Sequence, residues 1–269
     1  MAVLNRRTVL AAMGGVAVAP AISMSLPATV AFATDDLYPS NTAIYADPAL
    51  VEGTDYIRRY RRHEALDTSV SAPLLFPDTL VFALHGGAIE FGTSELCLAV
   101  AGYHPNGLVP TPAAGPAYDY WMFEGVRASN NGDLHVTSTH CDDPVLLSLA
   151  AGARRTVSLH GCSTATAGVA DGAAAVLVGG LDTALKSKLM TGYAAAGITA
   201  VDATPITELK GDEPTNIVNR TLTGCGAQLE LTTPLRSAMF TTNTIGGRKG
   251  STTAAFWQFV DVTRAALAG

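Results

Sequence analysis

The sequence predicts an α/β fold: three layers, α/β/α, around a mixed central sheet. Two observations carry this. Short, β-rich apolar runs alternate with stretches of helical period, and two of those runs end on a His-Gly pair. With 48% apolar residues in 269, the chain can also bury a sizeable core without covalent staples.

Taken in order, Thr79–Leu84 is a buried-type strand ending on His85-Gly86-Gly87, and Thr93 is placed to cap a helix through Leu96, Leu98 and Val100. Tyr118–Phe123 and Leu134–Ser138 read as strands. Asp142-Asp143-Pro144 opens a short helix, with proline in the first turn where its missing N–H costs nothing. Thr156–Leu159 is a strand ending on His160-Gly161, and Ala174–Val178 is another. Asp182 begins an amphipathic helix with Leu185, Leu189 and Tyr193 on one face and Gly197 at its close. Gln228–Leu231 is a strand carrying Glu230, and a last helix aligns Phe256, Val260, Thr263 and Leu267. Residues 34–70 and 241–252 read as the loosest parts. Within the first of them, Arg58–His63 is the one basic run, expected to be a solvated helix face.

Residues 1–33 read as a leader rather than part of the fold. Asn5-Arg6-Arg7-Thr8-Val9-Leu10 is a twin-arginine pattern, the apolar stretch after it is broken by Gly14, Gly15 and Pro20, and Ala31-Phe32-Ala33 resembles a peptidase site. The stretch is too short and interrupted for a stable membrane anchor. The expectation is a secreted or extracytoplasmic protein with one catalytic domain, 34–269. The leader takes two arginines and no acids from a net charge of −6, so the remainder carries −8. That excludes a general nucleic-acid binder, which needs a basic face. Cys97, Cys141, Cys162 and Cys225 form no CxxC, so a cysteine zinc site has little support. Two disulfides and buried free thiols both stay open.

The chemistry concentrates at the strand ends. In open α/β sheets ligands bind beyond the carboxyl ends of the strands, where His85 and His160 sit. Glu90 follows His85 by five positions, about 140° away on a regular helix, so a turn at Gly86-Gly87 must bring the two together. Two histidines and one carboxylate, with a fourth position open to water, form a recurring catalytic zinc set. No Gly-x-Ser-x-Gly elbow supports a serine hydrolase.

The string His85-Gly86-Gly87-Ala88-Ile89-Glu90-Phe91-Gly92-Thr93-Ser94-Glu95 resembles the signature of the poly-γ-glutamate hydrolase family. Further blocks resemble it in order: Phe123-Glu124-Gly125 through His140, Ser158 through Cys162, Val178 through Asp182, Asn216 through Arg220, and Gln228 through Leu231. The family is similar in fold to zinc carboxypeptidases. The resemblance implies one zinc ion held by His85, Glu90 and His160, with Glu230 as general base. It also implies that Asn219 and Arg220 hold a carboxylate of a poly-γ-glutamate or γ-glutamyl peptide substrate; Arg236 is a second candidate for that role, His140 is placed to contact substrate or to back a ligand, and the chain is expected to act as a monomer. His135, an odd step from His140 on a regular strand, is expected on the opposite face, and His63 and His104 at the surface. The negative net charge sits awkwardly with a polyanionic substrate. Two alternatives stand beside this reading, a zinc amidase acting on cell-wall γ-glutamyl peptides and a non-catalytic binding protein on the same fold.

Overall fold

In the computed structural model, which describes residues 36–63, 78–111 and 116–268, the apolar runs pair into one mixed sheet. Its strands are β1 (Tyr56–Arg61), β2 (Thr79–Gly87), β3 (Asp119–Gly125), β4 (Arg155–Cys162), β5 (Ala175–Gly179), β6 (Thr199–Asp202) and β7 (Ala227–Thr232). Their spatial order is β1-β3-β2-β4-β7-β5-β6. The four central strands β3, β2, β4 and β7 run parallel, β1 pairs antiparallel with β3, and β5 runs antiparallel to β7. The leader read in residues 1–33 lies outside the described residues. Among them no helix is long and apolar enough to cross a membrane.

Alternation along the strands sorts the core onto two faces. Val81, Ala83, Val157, Leu159, Leu229 and Leu231 point to one cluster. That cluster is covered by α2 (Thr93–Ala101), α4 (Thr183–Ala195), the short α5 (Thr233–Ala238) and α6 (Ala254–Ala268), giving the first helical layer. Leu80, Phe82, Trp121 and Phe123 point the other way, under α1 (Asn41–Ala46) and α3 (Pro144–Gly152). On this second face a smaller cluster of Cys162, Ala167, Leu177, Ala203 and Leu209 lies farther along the sheet.

The helix ends follow the chemistry of their caps. The Asp143 and Asp182 carboxylates accept the backbone N–H groups of Leu146 and Leu185, satisfying donors that each helix start would otherwise leave bare. At α2 the cap is not Thr93 but Gly92, whose φ of +90° favours glycine, and Thr93 is already helical. Three other expectations are corrected. Arg58 to Arg61 belongs to edge strand β1, not to a helix. Arg58 pairs with Glu52 at 2.7 Å and Arg59 with Glu124 at 3.5 Å, and charges of this kind discourage further strand addition at an edge. Leu134–Ser138 is no strand either: Asn131–Leu134 is a 3-10 turn and the chain then runs irregularly to α3. The 34–70 region holds α1 and β1, so it is not loose where it is described.

Two features open a crevice at the carboxyl edge. The β2–β4 ladder stops at Phe82 opposite Ser158, while β4 stays paired to β7 as far as Cys162 opposite Thr232. Chain order also reverses here, since β2 leads to β3 on one side while β4 lies on the other, the switch point at which such sheets bind ligands. Gly87 sits at this edge with φ +68°, and a Cβ there would lie 2.3 Å from the Gly125 carbonyl oxygen. Gly87→Ala should therefore cost more than the roughly 1–2 kcal/mol of a left-handed backbone alone, read as a lowered urea midpoint at unchanged m-value.

Candidate metal centre

His85 reaches the crevice through a β-bulge. Between Ala83 opposite Met122 and Gly86 opposite Glu124, β2 spends one residue more than β3. A bulge re-aims the side chains beside it, and bulges cluster near active sites for that reason. The turn after Gly86-Gly87 closes by Glu90 N–H donating to the His85 carbonyl at 2.7 Å, which brings the Glu90 carboxylate back over the His85 ring. Oε1 lies 3.0 Å from His85 Nδ1, and Oε2 accepts the Gly161 N–H at 2.7 Å, tying the end of β2 to the end of β4.

His160 arrives from β4 with its Nδ1 3.2 Å from His85 Nδ1 and 3.8 Å from Glu90 Oε2. Glu230 stands directly opposite His160 in the β4–β7 register, so both side chains project from the same face. It is buried, and its Oε1 accepts from Gln228 Nε2 at 3.0 Å.

The segment after the 3-10 turn roofs the crevice. The Val136 carbonyl lies 2.9 Å from His85 Nε2, and Ser138 Oγ lies 3.5 Å from His160 Nε2. His135, expected on the far face of a strand, instead stacks on His85 with ring centroids 3.8 Å apart. With no regular strand here, the odd-step rule does not apply. One ligand atom each from His85, Glu90 and His135 falls within 4.8 Å of the others, so His135 belongs to the cluster. The Asp36 carboxylate accepts from His135 Nδ1 at 2.9 Å and from the Thr137 N–H at 2.7 Å, and its Oδ2 lies 3.2 Å from His140 Nδ1.

Electrostatics follow from this crowding. Burial would raise Glu90, but His85, with help from His160 and His135, overrides it and holds the carboxyl down to about 2. Burial and the neighbouring His85 push His160 down to about 3. Burial alone would lower His85, yet the Glu90 charge and hydrogen bond carry it above its ordinary value. His85 charge, then burial, lower His135. Burial and the Glu90 charge push Glu230 well above the carboxylate range.

The donor set suits a divalent cation. Val136 O only accepts, so His85 Nε2 carries the proton, and a neutral His85 aims a bare Nδ1 lone pair at an ionised carboxylate. A cluster of acceptors meeting in this way needs positive charge among them, which a proton on His85 or a metal ion supplies. Imidazole nitrogens with one carboxylate are a zinc-type donor set.

The expected substrate contacts fare differently. The Asn219 amide is wholly engaged: Oδ1 accepts from Leu181 N and Gly226 N, while Nδ2 donates to Gly211 O and Glu213 O at 2.9 Å each. It holds loops together and has no donor left for a carboxylate. Arg236 is buried at the crevice, with Gly161 leaving the space for its guanidinium. Its nitrogens go to Leu231 O, Phe91 O, Cys162 O and Thr233 Oγ1, and its Cζ lies 4.4 Å over the Phe91 ring. Four of its five N–H donors thus brace the site. Arg220 is exposed, and the His140 ring is largely so. All four cysteines are free thiols, three of them buried. His63 is not a bare surface residue, since its ring lies between Asp119 and Tyr103. Residue reasoning missed Asp36 and His135. Asp36 carries no local signal, and the role of His135 depends on an irregular backbone.

Fold and site together define an α/β protein with a metal-type cluster of imidazoles and a carboxylate at its switch point. The chain belongs to the poly-gamma-glutamate hydrolase family, whose sequence pattern matches residues 62–262. It is 30% identical to the SPβ prophage-derived protein YoqZ of Bacillus subtilis over 82% of this chain and 75% of the relative. It is 31% identical to YndL of the same organism over 68% of this chain and 64% of that one. Among solved structures, a bacteriophage poly-gamma-glutamate hydrolase superposes with TM-score 0.70 at 30% identity, covering 87% of this chain and 97% of its own. A zinc-free apo form of YndL superposes with TM-score 0.69 at 26% identity over 87% and 98%.

Removing the Arg236 brace should be costly. Arg236→Met would strand buried carbonyls at roughly 1–3 kcal/mol for each left unpaired, so thermal unfolding should show a large drop in Tm, with Arg236→Lys recovering only part of it.

Proposed function

We propose that the chain is a zinc-dependent hydrolase of γ-glutamyl amide bonds in poly-γ-glutamate, acting outside the cytoplasm after export through its twin-arginine leader. The observation that carries the reading is the meeting of His85 Nδ1, His160 Nδ1 and the Glu90 carboxylate at the switch point of a chain in this family. Support for zinc in particular comes from the donor chemistry and from the zinc-free state distinguished for YndL.

His85, Glu90 and His160 would hold the ion. Both Nε2 atoms face the roof segment, one at Val136 O and one at Ser138 Oγ, which leaves both Nδ1 atoms turned inward. His135 stands beside them as a fourth group. Bound zinc would supply a Lewis acid that polarises the amide carbonyl and activates water. Glu230, beside His160, takes the proton of the attacking water and delivers it to the leaving amine. Glu230 releases its own proton more readily once the Glu90 charge that burdens it is neutralised. Arg220 and His140, both open to solvent, are the groups left to meet substrate carboxylates.

A second reading, a cell-wall γ-glutamyl peptide as substrate, draws on the engagement of Asn219 and Arg236 and on the negative net charge, which leave few cations for a long polyanion. A non-catalytic binding protein is the third, and the absence of any hydrolysis by the zinc-loaded chain would select it.

Size-resolved digestion of poly-γ-glutamate should show shortening that a chelator abolishes and added zinc restores. No shortening with zinc demonstrably bound would move the substrate to wall peptides. Glu230→Gln should lower kcat by about 10²–10⁴-fold with zinc content unchanged, and full activity in that variant would remove Glu230 as the base. Zinc affinity should collapse in His160→Ala and fall less in His135→Ala. The reverse order would exchange their roles.

A further inference from the structure

The roof of the cluster is itself held in place from outside the matched span. The segment 36–47 precedes residues 62–262, yet its side-chain bonds converge on the loop that carries His135, Val136 and Ser138. Asp36 joins His135, the Thr137 N–H and His140. Six residues on, the Thr42 N–H donates to Asp142 Oδ1 at 2.8 Å, and its hydroxyl donates to Oδ2 of the same carboxylate. Tyr45 donates its hydroxyl to Asp143 Oδ2 at 2.9 Å, on the carboxylate that caps α3. Ile44, fully buried, anchors the segment in the second apolar cluster. Each contact thus clamps one part of residues 135–143.

We propose that this N-terminal segment is a strap that completes the metal centre, with Asp36 as the positioning residue that fixes the His135 ring and the backbone behind it. The physical reason lies in what the roof contributes. Val136 O faces His85 Nε2 and Ser138 Oγ faces His160 Nε2, so the loop sets which nitrogen of each imidazole looks into the crevice. Outer partners of this kind orient ligands, and their loss typically costs about 10–100-fold in metal affinity. The roof has no strand ladder of its own. Apart from the Asp36 bond to Thr137 N, its backbone is held by His135 N donating to Gly132 O, at the Val136 carbonyl, by a turn from His140 N to Thr137 O, and by Ile217 N donating to Ser138 O. Asp36 accepts both a ring N–H and a main-chain N–H at the very segment that aims the histidines, through a carboxylate whose side chain is 5% exposed.

The inference rests on reading His85, Glu90 and His160 as zinc ligands, and the test separates the two. Zinc affinity of the full-length chain would be measured by competition with a chromophoric chelator, alongside apo-protein unfolding, for wild type, Asp36→Ala, Asp36→Asn and Thr42→Val. Asp36→Ala should weaken zinc by about 10–100-fold. Asp36→Asn, which keeps one acceptor oxygen, should fall between it and wild type, and carries the test if the alanine variant does not fold. Thr42→Val touches no histidine and should lower the unfolding midpoint while leaving affinity close to wild type. Asp36 variants that lose unfolding midpoint yet bind zinc like wild type would make the strap a purely structural element and overturn the proposal. A wild-type chain that takes up no zinc at all would sink the ligand assignment itself, and this proposal with it.

Discussion

The Glu90 carboxylate is the contact on which the site depends. One oxygen faces His85 on β2, just before the turn that carries Glu90, and the other accepts the Gly161 N–H from β4. The ladder between those strands has already ended several residues earlier, so this side chain bridges a gap that backbone pairing does not. It can do so because two glycines, one of them in the left-handed region, let the chain double back within five residues. The same carboxylate depresses its own pKa by drawing in imidazoles and raises that of Glu230 by repulsion. Connectivity and electrostatics at the crevice are set by one residue.

Arg236 plays the complementary part. A buried guanidinium with several neutral acceptors gives the crevice a fixed positive charge near Glu90 and Glu230, whose carboxylates offset part of its burial cost. Gly161 is required to admit it, since a Cβ there would lie 2.5 Å from Cζ. The glycine after each strand-end histidine therefore has its own reason, the close approach of Ser94 and the Phe123 carbonyl at Gly86 and an arginine at Gly161.

What was legible in the sequence follows from what repeats. Strands β2, β4 and β7 are long apolar runs with fixed neighbours, and α4 carries a clean helical stripe between Asp182 and Gly197, so pattern alone locates them. The pair His85 and Glu90, and the need for a turn between them, could be inferred from spacing against helical geometry. His135 and Asp36 could not. Their positions depend on a stretch with no period and on a contact spanning 99 residues of chain, neither of which leaves a local mark. The basic run Arg58–His63 lies on an edge strand as far as Arg61, and consecutive half-exposed to exposed arginines suit such an edge as well as a solvated helix face. Asn219 shows the converse: a motif residue can be exhausted by backbone bonds that only the folded chain reveals.

The four cysteines carry a last implication. Cys97, Cys141 and Cys162 are buried thiols, the latter two pushed up to about 12 by burial, so the reactive thiolate is almost absent at neutral pH. The architecture is held by its sheet, three apolar clusters and buried arginines rather than by covalent cross-links. Such a chain needs no oxidant to reach its final shape, and its three buried thiols are withdrawn from later oxidation.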